Sequence, residues 1–138
     1  MRGPLELARG LLHKAHNDMI GAEATLQTGE ALDVVCFHAQ QAVEKSLKAL
    51  LAAHGIPYPF THDLGDLLDL LAQHGQGVGL QREIIEPLTE YAVAMRYDDT
   101  LTPSEEEAQE ALETARGVIE LASAHVASVE ADTPPDGG

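Results

Sequence analysis

His38, Gln41, Lys45 and Lys48 recur at spacings of three, four and three. At about 100° per residue this places all four on one side of a helix. Such a row can hold phosphate or carboxylate, with the ammonium groups as point charges and the amide and imidazole as directional donors. Leu32, Val35, Cys36, Ala39, Val43, Leu47 and Leu50 collect on the opposite side as an apolar arc. Val34 and Phe37 sit among the donors, and apolar area on a polar face marks a contact surface. A plain solvated face with a Glu44–Lys48 pair, worth only a few tenths of a kcal/mol, leaves Val34 and Phe37 unexplained. We read the face as a subunit or partner interface, or an interface-lined site, with Val34 and Phe37 as the dimer contact.

Two further clusters carry chemistry-bearing side chains. In Thr61-His62-Asp63-Leu64 the threonine suits a helix cap, whereas His62 has no structural duty derivable from its neighbours. Met95-Arg96-Tyr97 ends a helical stretch, with Arg96 beside Thr89 and Val93 and with Asp98 and Asp99 as ion-pair partners within reach.

Other arrangements carry less. Gly75, Gly77 and Gly79 lack the preceding strand and the Lys-Ser/Thr of a phosphate loop, so they read as a flexible connector with Arg82 nearby. His13 and His16 are three apart, but Asn17 and Ile20 occupy the next turn and supply no third metal ligand. No nucleophile elbow, His-Glu-x-x-His or cysteine-centred motif is present. No metal and no cofactor is expected.

The elements that must position these clusters follow from apolar spacing. Leu5, Ala8, Leu12, Ala15, Met19, Ala22 and Leu26 predict a first helix from about Pro4 to Thr28, stopped at Gly29. The second helix runs from about Glu30 to His54 and ends at Gly55. Pro57 and Pro59 forbid its continuation. Thr61 is expected to cap a third helix whose Leu64, Leu67, Leu68 and Leu71 face inward. After the 74–79 loop, Ile84, Leu88, Tyr91 and Met95 predict a fourth helical region, with Pro87 giving either a kink or a short turn followed by the main helix. Asp98 to Pro103 connect it to a last helix that opens with a Ser104/Glu107 capping box. Its stripe is Ala108, Leu112, Ala115, Ile119, Ala122 and Val126. The fold class is all-α, an antiparallel up-and-down bundle of four to five helices over residues 1–130, with 131–138 as a disordered tail.

Composition restricts function. The chain has 138 residues, enough to bury roughly two-thirds of its unfolded surface. Its 23 Asp and Glu outnumber 8 Lys and Arg, for a net charge of −15. So acidic a chain repels phosphate backbones, which argues against nucleic acid as a partner. Asp98, Asp99, Glu105, Glu106, Glu107, Glu110 and Glu113 crowd one stretch that contains no base. One cysteine allows no internal disulfide. No signal-like apolar core and no membrane-length run is present, so a soluble, cytoplasmic protein is expected.

The ordered set Cys36-Phe37-His38-Ala39-Gln40-Gln41-Ala42, Glu44-Lys45, Leu47-Lys48-Ala49-Leu50, His54-Gly55, Thr61-His62-Asp63-Leu64, Tyr91-Ala92-Val93 and Arg96-Tyr97 resembles the prokaryotic HEPN domain. The resemblance spans about Leu5 to Val126. It implies a helical bundle, usually a homodimer, that works beside a small nucleotidyltransferase in toxin–antitoxin-like systems. Other members are metal-independent ribonucleases carrying an Arg, four to six residues, then His. Arg96 matches that Arg, but Tyr97-Asp98-Asp99-Thr100-Leu101-Thr102-Pro103 contains no His. The resemblance therefore implies a non-catalytic binding module for a nucleotidyltransferase partner or a nucleotide-like ligand. His38, Gln41, Lys45, Lys48, His62, Asp63, Arg96 and Tyr97 would line its site. A ribonuclease toxin with a displaced His, supplied by His62 or His38, is the alternative.

Overall fold

The computed structural model describes residues 3–77, 79–97 and 102–133, with the side chains of 94–97 outside the description. Helix α1 spans Pro4–Gln27 with Pro4 in its first turn, where a missing N–H costs nothing. Ala8, Ala15, Met19 and Ala22 of its stripe are buried, and Leu5, Leu12 and Leu26 pack against the same core. Gly29 at φ 72° and Ala31 at φ 53° turn the chain sharply into α2, Leu32–Ala53. Helix α2 is the centre of the bundle. From Val35 onward its whole apolar arc is buried, and Gln40, Ala42, Glu44, Ser46, Ala49 and Leu51 are buried as well. Helices α1, α3, α5 and α6 all pack against it.

Helix α3 spans Leu64–Gln73. Thr61 does not cap it. The helix begins at Leu64, and the Asp63 carboxylate accepts from the backbone N–H groups of Gly65 and Asp66, while the Thr61 hydroxyl accepts from Asp63 N–H. Pro57 and Pro59 hold the incoming chain extended past Thr61, which leaves Asp63 at the helix end.

The break at Pro87 takes the form of a single turn α4, Arg82–Ile85, then a 3₁₀ turn over Glu86–Thr89, then α5, Glu90–Tyr97. Ile84 does not face the core. It is half exposed, and Ile85 is buried in its place. A 3₁₀ turn advances about 120° per residue rather than 100°, so a stripe counted back across Pro87 loses phase. Leu88 remains buried and Tyr91 packs against the core. The Met95 side chain and the connector residues Asp98 to Leu101 lie outside what is described.

Helix α6 spans Glu105–Asp132 and opens with the full Ser104/Glu107 capping box. Every residue of its stripe reaches the core, Ile119 only partly. The helix runs two residues past Glu130, and positions 134–138 lie outside the described residues. Arg9–Glu130 and Arg116–Glu23, each 2.9 Å, link opposite ends of α1 and α6, which run antiparallel. Among the described residues the fold is all-helical, and no helix is long and apolar enough to cross a membrane.

Candidate functional site

On the α1 side of α2, one carboxylate holds two members of the predicted row. Asp18 Oδ1 lies 3.1 Å from His38 Nδ1, and Asp18 Oδ2 accepts from Lys45 Nζ at 2.6 Å. The Asp18 side chain is only 12% exposed, so water screens this group weakly. Asp18 was not singled out in the sequence. Its signal is positional, because an acid between Ala15, Met19 and Ala22 must lie on the flank of a buried seam.

On the opposite flank stands a second carboxylate, Glu44, with a 6% exposed side chain. It accepts from Lys48 Nζ at 2.9 Å, from Gln40 Nε2 at 3.2 Å, and meets His62 Nδ1 at 2.8 Å. Gln40 is fully buried and fully used. Its amide nitrogen also donates to the His62 carbonyl, and its oxygen accepts from Gln41 Nε2 at 2.7 Å. Burial alone would raise the Glu44 carboxyl. The hydrogen bonds from His62, Lys48 and Gln40 outweigh it and hold the group below its ordinary value, so the site keeps a buried negative charge. His62 thus has a structural duty after all: it ties the 61–63 segment to α2. Its side chain is 52% exposed. With Nδ1 on the carboxylate, no described residue partners its Nε2.

Between these flanks runs the open strip of α2. From Val34 to Ala53 the residues that are not buried are Val34, Phe37, His38, Gln41, Lys45 and Lys48. They are the two apolar and four polar side chains that the sequence separated from the core arc. All six are half-buried, and the Phe37 and His38 rings meet edge to face at 5.8 Å. The Lys48 ammonium also lies 5.7 Å from the centre of the Tyr58 ring. The predicted Glu44–Lys48 pair is present, but as part of a buried network rather than on a solvated face.

The remaining candidates divide. Asp63 is spent on capping α3. Arg96 and Tyr97 are the last two residues of α5, and their side chains lie outside the description. His13 and His16 are both exposed, and no three His, Cys, Asp or Glu side chains among the described residues form a metal cluster. Beside the glycine loop a cavity of about 330 Å³ lies between α3 and the Gly77–Arg82 segment, away from the strip. The Arg82 guanidinium there is engaged by Asp69 at 2.6 Å and by the Gly65 carbonyl, so it offers no free charge for a phosphate. Cys36 is buried, and burial pushes its thiol to about 11 despite a hydrogen bond with Tyr91. Burial and the neighbouring thiol raise the Tyr91 phenol to about 12. Both groups stay protonated at neutral pH.

The architecture is that of a helical bundle whose central helix shows one carboxylate-braced strip. The HEPN domain profile matches residues 8–125, and the chain belongs to the HEPN domain family. It is similar to TT1696 from Thermus thermophilus, at 30% identity and a TM-score of 0.67 over 85% of this chain and 96% of that one. Its fold is also that of ST0689, an archaeal HEPN homologue, at 20% identity and a TM-score of 0.68 over 91% and 99% of the two chains. No curated protein matches the sequence.

Proposed function

We propose that this protein is a non-catalytic HEPN module, a cytoplasmic homodimer that pairs with a small nucleotidyltransferase or binds a nucleotide-like ligand in a toxin–antitoxin-like setting. One observation carries the reading: the open strip of α2 is half-buried, part apolar and part polar, and its cations are already neutralised from within the subunit. A strip of that kind suits a protein surface or a compact ligand, where directional hydrogen bonds count. It suits a polyanion poorly, because Lys45 and Lys48 bring little net positive charge and the whole chain carries −15. In this reading Val34 and Phe37 meet the second copy. His38, Gln41, Lys45, Lys48 and His62 contact the partner or ligand, and Asp63, Arg96 and Tyr97 are assigned to the same site.

The partner arm is tested by whether a small nucleotidyltransferase is encoded beside this protein and whether the two, co-expressed, form a complex. A complex of defined stoichiometry that survives size exclusion is expected. For the ligand arm, millimolar ATP should raise the melting temperature by mass action. Failure of both removes the proposal.

A second reading, metal-independent RNA cleavage, is favoured by His62, whose Nδ1 rests on a buried carboxylate while no described residue partners Nε2. A histidine so held can act as acid or base. In that case the purified protein cuts RNA in the presence of a chelator, and His62→Ala and Arg96→Ala each abolish cutting. Intact RNA after prolonged incubation excludes it.

A further inference from the structure

His54 caps the C-terminal end of α2, and His125 lies opposite it on α6. Their Nε2 atoms are 2.8 Å apart, with ring centres at 5.1 Å and ring planes tilted by 48°. Neither His62 nor any strip residue takes part. Two imidazole nitrogens this close cannot both carry hydrogen, so one is N–H and the other presents a lone pair. Both side chains are half-buried, open enough for solvent to reach them. Burial first, and then the neighbouring His125, holds His54 below its ordinary value.

We propose that His54 and His125 form a two-histidine site for a divalent transition metal of the Cu²⁺ and Ni²⁺ type, clamping the end of α2 to α6. Metal–imidazole bonds are about 2.0–2.1 Å, so two nitrogens at a right angle around one ion stand about 2.9 Å apart. The observed separation is close to that value. A tetrahedral ion needs about 3.4 Å, so Zn²⁺ would have to push the rings further apart. The site thus favours square-planar or octahedral ions, and the usual order of divalent affinities puts Cu²⁺ first. Among the described residues no third His, Cys, Asp or Glu joins the pair, so water completes the coordination. Binding needs a change of tautomer and a rotation of both rings, because the hydrogen bond now directs the lone pair along the line between the two Nε2 atoms rather than toward a shared ion. The shared hydrogen moves from Nε2 to Nδ1 of the same ring through solvent, both Nε2 lone pairs turn to the ion, and no proton is lost from the pair. Because the two ligands come from different helices, the ion binds the folded chain better than the unfolded one.

The test is thermal melting of the full chain with equimolar CuCl₂, together with electron paramagnetic resonance of the bound Cu²⁺. Wild type should melt several degrees higher with the ion and show two equatorial nitrogens. His125→Asn and His54→Gln, each shown by circular dichroism to fold, should lose both the shift and the second nitrogen. A His13→Gln/His16→Gln double variant should retain them. No shift in wild type, or an equal shift in His125→Asn, overturns the proposal.

Discussion

At the scale of single residues, the polar half of the molecule depends on two buried carboxylates. Glu44 binds Gln40, Lys48 and His62 together, so Glu44→Ala leaves a buried amide and an ammonium without their acceptor. Removing one partner of such a group costs roughly 3 kcal/mol, and urea unfolding at pH 7 should read that loss. The folded-state value of Glu44 lies below its ordinary 4.5, so the unfolded chain binds the proton more readily. The stability it contributes is therefore present above pH 4.5 and lost as pH falls through the lower folded value. The gap between wild type and Glu44→Gln should accordingly narrow in acid, measured by urea melts at pH 7 and below pH 4. Cys36 gives a prediction of the opposite kind. With its thiol buried and pushed to about 11, it should resist an aromatic disulfide reagent at pH 8 and react fully once urea unfolds the chain. The row His38, Gln41, Lys45 and Lys48 was legible in the sequence because helical spacing alone separates it from the core arc. Its bracing was not. Asp18 lies 20 and 27 positions from its two partners and His62 lies 18 from Glu44, and local periodicity cannot pair residues across elements.

At the scale of elements, legibility followed the length of the stripe. The first and last helices carry unbroken apolar spacing and ended within two residues of expectation, and the second started two residues late. Short elements were less legible. Pro87 announced a short turn before the main helix but not its 3₁₀ form, whose different angular step exchanged Ile84 for Ile85 in the core. Thr61 was a reasonable cap by type, yet Asp63 took the role once the chain stayed extended two residues longer. The capping box of α6 was read from four residues because its geometry is local. Ser104→Ala should cost about 1 kcal/mol, seen as a lower denaturation midpoint with an unchanged slope. The same truncation deep in α2 should be far worse. Leu47 is fully buried, and Leu47→Ala should cost roughly 3 kcal/mol through lost contacts and the cavity left behind.

At the scale of the whole molecule, one helix is enclosed on nearly every side except along a single strip. α1, α3, α5 and α6 pack around the rest of α2, and the first turn of α6 is rich in acids. Val34 and Phe37 are half-buried on that strip beside four polar groups. A second copy that covers them would gain apolar burial there and keep the charged edge for a further partner. The measurement that tests this most directly is the solution mass of wild type, Val34→Asp and Phe37→Glu by light scattering, with circular dichroism to confirm that each folds. Wild type is expected as a dimer and both variants as folded monomers. A wild-type monomer, or variants that keep the dimeric mass, would contradict a dimer through this strip.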